Sequence, residues 1–187
     1  MFHSLRLTPQ LDKSTWDAAV DFAITGSLFP ESKLHGEDHW RAVATQGLRL
    51  ADQQGLGPTA RAAAALFGLF HDCRRLNDDW DPEHGRRGAE ACLEFLSDQR
   101  FPKGLIETLA ESMVLHDGGQ TTDNPLMGLG WDADRSVLTR VGITPSYAFF
   151  SVVRPEDFDG FVESGYAATR TPLSWDEIHA AAFTRKS

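Results

Sequence analysis

Histidines with neighbouring carboxylates recur along this chain, and these residue types can hold a divalent metal ion. The chain has seven histidines, and five of them lie between residues 35 and 116. The candidate residues sit next to predicted helix ends: His39, His71, Asp72, His84, His116, Asp117, Asp132 and Asp134. Neutral imidazoles and carboxylates suit Mn, Fe, Co, Ni, Zn or Mg, whereas the two cysteines lack the paired spacing of a structural zinc site. The pattern predicts a site for one or two divalent ions.

His71 and Asp72 end the most apolar stretch of the chain, residues 60–75. A helix that is apolar on most faces belongs in the centre of a domain. Burial of an imidazole and a carboxylate is costly unless they are paired or bind a metal. Asp72 could instead accept a hydrogen bond from a neighbouring helix while His71 caps a carbonyl. The other histidines at helix ends favour the metal interpretation.

The elements that would position these residues are mainly helical. Apolar spacing and capping signals predict helices over residues 15–28, 36–51, 60–72, 82–96, 102–115, from about 132, 157–166 and 175–183. Ser14, Asp81 and Ser174 are the predicted N-caps, with Pro82 in the first position of its helix. We expect a loop over residues 118–130 and, at most, short extended pieces over 147–153. The fold class is therefore all-α.

Composition limits the classes of function. The formal net charge is −9, and no basic run offsets it, which argues against general binding of nucleic acids or anionic membranes. No apolar run approaches a membrane span, and the first residues lack the apolar core of a signal peptide. Two unpaired cysteines suit a reducing compartment. We expect a single domain over residues 1–187 in a soluble cytoplasmic protein, either a monomer or a homodimer.

The order His39, then His71-Asp72, then Asp134 resembles the HD-domain superfamily of metal-dependent phosphohydrolases. The surrounding residues are similar as well, since Leu69-Phe70 precede His71-Asp72 and Asp134 lies within Ala133-Asp134-Arg135. The resemblance covers residues 35–142, which leaves 143–187 as a C-terminal extension. It implies an HD-like helical bundle with a metal site at the helix ends.

The resemblance also implies a ligand set. The first metal would be held by four residues: His39, His71, Asp72 and Asp134. His84 and His116 would complete a second site, with Asp72 as a bridge. Asp132 is the alternative if the register is shifted by two residues. Two positions depart from the family pattern: residue 117 is Asp where some members have histidine, and Ser136 stands where a large apolar residue is usual.

By the same resemblance, the protein would hydrolyse a nucleotide or another small phosphate ester with a metal-activated water. The residues expected to serve the chemistry are Asp72, Asp117 and Arg75, and those expected to bind the phosphorylated substrate are Arg74, Arg86 and Arg135. These arginines could instead neutralise acidic neighbours. Two other functions remain open: a di-iron oxygenase of the HD fold, which uses a similar six-ligand set, and a non-catalytic nucleotide-binding module, which would be expected to lack ligands.

Overall fold

The computed structural model describes residues 9–184, and these residues form eight α-helices with no β-strand among them. In chain order the helices are α1 (Lys13–Thr25), α2 (Glu37–Gln53), α3 (Gly57–Phe70), α4 (His84–Leu96), α5 (Lys103–Leu115), α6 (Pro125–Ser136), α7 (Phe158–Arg170) and α8 (Trp175–Phe183). Short 3-10 turns follow α6 and precede α7. The all-α prediction is confirmed. None of the helices in this range is both long and apolar enough to cross a membrane.

Helix α3 is the centre of the molecule, as its composition predicts. All of its residues from Ala62 to Phe70 are buried. It packs against α2, α6 and α8, and also contacts α1, α4 and α5. An apolar helix is stable in water only when its whole surface is covered. The neighbouring helices therefore surround α3.

Helices α2 and α3 lie unusually close together because small residues face each other. A Cβ atom added at Gly68 would lie 2.6 Å from the Ala44 backbone nitrogen, and one added at Gly47 would lie 2.8 Å from the Ala64 Cβ. Real Cβ atoms essentially never show such distances, so a larger residue would push the helices apart. This packing brings the first turn of α2 next to the end of α3.

Two predicted N-caps are wrong. Asp12, not Ser14, caps α1, since its carboxylate accepts a hydrogen bond from the Thr15 backbone N–H at 2.8 Å. Asp81 does not cap α4, which begins at His84. Its carboxylate instead accepts from the Leu76 N–H and pairs with Arg87. In α1, Ser14 donates its hydroxyl to the Asp12 carboxylate at 2.9 Å instead of capping the helix.

The predicted loop over residues 118–130 is too long, and the prediction that Asp132 lies at the start of a helix is wrong. Helix α6 begins at Pro125, with Asn124 as its N-cap, and the aspartates lie near its end. Glycines at 128 and 130 indicated a loop. In the structure, a Cβ added at Gly130 would lie 2.8 Å from the Phe67 ring. This glycine therefore allows close helix packing rather than a turn.

The C-terminal part is also helical. Residues 147–153 contain a 3-10 turn, Tyr147–Phe149, rather than a strand. Helix α7 runs on to Arg170, beyond its predicted end. Helix α8 has the predicted bounds and the predicted Ser174 cap, and the Ser174 backbone N–H donates in return to the Glu177 carboxylate. Both helices pack against α2, and α8 also packs against α3. Residues 143–184 thus contribute to the same core.

Candidate metal centre

Six side chains from the ends of five helices meet beside the C-terminus of α3. Helix α2 supplies one in its first turn, α4 supplies its first residue, α6 one from its last turn, and three directly follow α3 or α5. The set, called the His–Asp cluster below, consists of His39, His71, Asp72, His84, His116 and Asp134. Five of them are buried, and the Asp134 side chain is 15% exposed. All six residues predicted as metal ligands are therefore brought together.

The first half of the cluster is built around His39. Its Nε2 atom lies 3.2 Å from His71 Nε2, 3.4 Å from Asp72 Oδ2 and 3.4 Å from Asp134 Oδ1. His71 Nε2 lies 3.7 Å from the same Asp72 oxygen and 4.0 Å from the same Asp134 oxygen. Two imidazole nitrogens and two carboxylate oxygens thus surround one small space.

The second half lies on the other side of Asp72. His84 Nε2 is 3.0 Å from His116 Nε2 and 3.3 Å from Asp72 Oδ1, and His116 Nε2 is 3.9 Å from that oxygen. Asp72 therefore directs Oδ2 to one pair of histidines and Oδ1 to the other. This is the placement that a bridging carboxylate would need.

The protonation of the imidazoles explains why they fit a metal ion. Nδ1 contacts a backbone carbonyl in three of them: His71 at 3.1 Å from Phe67 and Gly68, His84 at 2.5 Å from Asp81, and His116 at 2.7 Å from Met113. Because a carbonyl can only accept, Nδ1 carries the proton and Nε2 presents a lone pair.

The Nε2 atoms within each histidine pair face each other. His39 Nε2 is also an acceptor, since it receives an N–H from Arg140 Nη2 at 3.2 Å. Neither nitrogen of a pair can then donate to the other across 3.0 or 3.2 Å. Carbonyl-anchored imidazoles with converging lone pairs and a carboxylate are the usual donor set of a divalent metal. These buried groups could hold a metal ion.

Burial keeps His39 and His71 neutral, whereas the groups around Asp72 and Asp134 keep these two carboxylates charged despite their burial. Burial lowers the pKa of His71 to about 4, and burial together with the Arg140 charge lowers that of His39 to about 3. Burial alone would raise the pKa of Asp72, but the adjacent imidazoles hold it well below its usual range. Asp134 behaves in the same way, and its pKa falls to about 2. Metal ligands need these protonation states at neutral pH.

Asp132 and Asp134 serve different parts of the molecule. Asp132 accepts hydrogen bonds from the backbone N–H groups of residues 151, 152 and 153 at 2.8, 2.7 and 3.0 Å. It therefore holds the segment after the Tyr147–Phe149 turn and does not join the cluster. Ser136, where the HD-domain pattern usually has a large apolar residue, is buried and donates to the Ala133 carbonyl at 2.7 Å.

Two of the arginines predicted to bind substrate lie elsewhere. Arg74 donates to the carbonyls of Phe22 and Ala23 at the end of α1, at 3.1 and 3.0 Å. Arg86 lies on the exposed side of α4, paired with Glu83 and Glu90. Both are engaged in holding helices and not directed at the cluster. Both arginines are close to proposed ligands in sequence. Successive residues of a helix point to different faces, however, so closeness in sequence does not place a side chain at the cluster.

The remaining predicted arginines do lie at the cluster. Arg75 places Nη1 3.4 Å from Asp72 Oδ1 and is fixed by the carbonyls of Asn77 and Asp79. Arg135 donates to the carbonyls of Phe149 and His116 and lies over the Trp131 ring.

Sequence reasoning missed Arg140. It follows α6 in a 3-10 turn, donates to the carbonyls of Leu34 and Val137, and reaches His39. Its position six residues after Asp134 is the sequence feature that could have predicted its closeness to the cluster.

A cavity of about 350 Å³ opens directly onto the cluster. His116 and Asp134 form one side of it, and Asp117 and Arg135 lie beside them. The rest of the wall comes mainly from the chain between α6 and α7: Leu138, Ile143, Thr144, Pro145, Ser146, Phe149 and Phe150. Phe158 and Phe161 do not line the cavity but pack against the Phe150 ring.

The His–Asp cluster and the cavity are continuous, so a molecule in the cavity would contact the cluster. The buried half of this arrangement is polar and anionic, and its open half is mostly apolar. Compared with protein-family models, curated proteins and solved structures, the chain matches none of them.

Proposed function

We propose that this protein is a metal-dependent phosphohydrolase that acts on a small phosphate ester. One observation carries the proposal: Asp72 directs one carboxylate oxygen to each of two histidine pairs whose Nε2 lone pairs converge. Four residues would hold the first ion, namely His39, His71, Asp72 and Asp134. His84, His116 and the second oxygen of Asp72 would hold another. Bound divalent ions supply a water of lowered pKa and neutralise charge on phosphoryl oxygens.

The chain's own cations support the binding of an anion at this site. Arg140 is half-buried and aims Nη2 into the first half of the cluster, where it can donate to a phosphoryl oxygen. Arg75 is held by two carbonyls and contacts Asp72, so it fixes the orientation of that carboxylate. Its role is positioning. Arg140 therefore takes the substrate-binding role that was expected of Arg74 and Arg86.

Asp117 is the group best placed to move a proton to the leaving alcohol. It directly follows His116, is exposed, and lines the cavity on the side of the cluster. A carboxyl group within reach of the ester oxygen can protonate it as the P–O bond breaks. His84 and His116 are unsuited to this role, because their Nδ1 protons are donated to backbone carbonyls.

The experiment that tests the proposal combines elemental analysis with an activity screen. The protein is purified without added metal, analysed, and then assayed on p-nitrophenyl phosphate after loading with Mn²⁺, Co²⁺, Ni²⁺, Zn²⁺ or Mg²⁺. We expect about two ions per chain and metal-dependent release of p-nitrophenol. Two irons per chain with oxygen consumption and no phosphate release would overturn hydrolysis in favour of an oxygenase. Failure to bind any ion would overturn both functions.

A further inference from the structure

We infer that the cavity selects the organic part of the substrate, and that this part is a compact apolar group. The substrate class is then a phosphate monoester of an aromatic or carbocyclic alcohol, rather than a sugar phosphate or a nucleoside polyphosphate. The inference rests on the proposed function for the position of the phosphate. His116 and Asp134 belong to both the cluster and the cavity wall. A phosphoryl group at the cluster therefore extends its ester group into the cavity.

The wall of the cavity is built from large apolar side chains. Leu138, Ile143, Pro145, Phe149 and Phe150 line it. Ile143 is 52% exposed and Phe149 is 49% exposed. Exposed apolar surface next to a functional site gains free energy when an apolar ligand covers it. A carbocyclic group would cover these side chains, whereas a polyhydroxylated group would leave its own hydroxyls short of partners there.

The charges of the wall disfavour additional phosphates. It contains two carboxylates, Asp117 and Asp134, and one guanidinium, that of Arg135. That guanidinium already donates to the carbonyls of Phe149 and His116. Asp134 would ligate the first ion, so a nucleoside triphosphate would place its further negative charge beside the Asp117 carboxylate and gain little from this single cation. The cavity is thus matched to one phosphoryl group at the cluster and an uncharged remainder.

Size and rigidity limit the occupant further. A volume of about 350 Å³ lies near the lower end for ligand pockets. The wall is also held in place. Asp132 binds the three N–H groups that follow Phe150, and Arg135 binds the Phe149 carbonyl. A preformed wall loses little conformational freedom when the ligand binds, which favours a small, rigid substrate.

The test compares two primary alkyl phosphates of similar intrinsic reactivity, cyclohexylmethyl phosphate and glycerol 1-phosphate, and adds ATP as a third substrate. Binding of cyclohexylmethylphosphonate and methylphosphonate to the metal-loaded protein is measured by calorimetry. We expect the cyclohexyl group to raise both kcat/KM and phosphonate affinity at least about tenfold. The substitution Phe149→Ala should remove most of that gain. Phe29→Ala is the matched control, since Phe29 is 42% exposed and lies outside the cavity.

The outcomes separate this inference from the proposed function. If all three phosphates are hydrolysed with similar kcat/KM, or if ATP is preferred, the apolar selection is wrong and the hydrolase remains. If the cyclohexyl group tightens phosphonate binding through Phe149 while no phosphate is hydrolysed, the apolar site stands and the hydrolase is wrong. Equal effects of Phe149→Ala and Phe29→Ala on the cyclohexyl substrate would also contradict the inference.

Discussion

The two halves of the His–Asp cluster have similar histidine pairs but different charge. The first half has a carboxylate of its own, Asp134, in addition to Asp72, and an arginine reaches it. The second half has only the remaining oxygen of Asp72. Because anionic ligands strengthen the binding of divalent ions, we expect the first half to bind a metal more tightly. One shared carboxylate can thus serve two sites of unequal affinity.

Replacing Asp72, which both halves share, should impair metal binding in both halves at once. Asp72→Asn removes the charge that both ions would need and leaves a similar volume. We expect both ions to be lost. Phosphate ester hydrolysis should fall by more than about 100-fold, because the loss of a direct ligand should exceed the roughly 10–100-fold effect of losing a residue that only supports a ligand. Elemental analysis and kcat/KM measure the two effects. Retention of two ions in this variant would show that Asp72 is not a bridge.

Replacing Asp134 and Asp132 in turn should distinguish a metal ligand from a structural residue. Asp134→Asn should remove the first ion with little change in stability. Asp132→Asn should keep both ions but lower the free energy of unfolding by about 1–3 kcal/mol, since an amide cannot accept all three backbone N–H groups in place. Metal analysis and urea unfolding of the metal-free proteins measure these effects. The reverse pattern would make Asp132 the ligand.

Replacing a histidine of the second half should remove one ion only. His84→Gln is expected to reduce the metal content from about two ions per chain to one, with the first half still occupied. His179→Gln is the matched control, since His179 is buried and bonds the Leu11 carbonyl away from the cluster. If the wild-type protein binds a single ion even in excess metal, or if His84→Gln binds as much as wild type, the second half is not a metal site.

Removing the cation of the first half should affect substrate more than metal. Arg140→Gln deletes a charged donor next to His39, so metal affinity should stay the same or rise slightly. The KM for a phosphate ester should rise about tenfold, as for the loss of one charged hydrogen bond. Steady-state kinetics at saturating metal measure this. An unchanged KM would contradict a substrate-binding role for Arg140.

The metal-free protein should lose stability in mild acid, chiefly through the first half. The pKa values of His39 and His71 lie at about 3 and 4, below the ordinary 6.5. As the pH falls below 6.5, the unfolded chain takes up protons that the folded chain does not. The free energy of unfolding should then fall by up to about 1.4 kcal/mol per pH unit for each imidazole, down to about pH 4 for His71 and about pH 3 for His39. Urea unfolding between pH 7 and 5 should show a smaller slope for His39→Gln.

Residue types and spacing were sufficient to predict the all-α fold, and the resemblance to the HD-domain superfamily selected, from the candidates at helix ends, the six residues that the structure brings together. The apolar composition of α3 predicted its central place, and adjacency to helix ends selected the histidines. Sequence spacing could not show the direction of a side chain. Arg74 and Arg86 flank the ligands in sequence but point to α1 and to solvent, while Arg140 reaches His39 from a turn that no local signal marked.

The glycine contacts between α2 and α3 have a consequence for attempts to engineer this protein. Replacing a glycine inside a helix by alanine ordinarily stabilises it by about 1 kcal/mol. At Gly68 and Gly47 the added methyl group would collide with α2 or α3. Such a variant would move His39 away from His71 without altering any ligand. Screens for thermostable variants should therefore leave these two positions unchanged, because the gain in helix propensity would come with a widened His–Asp cluster.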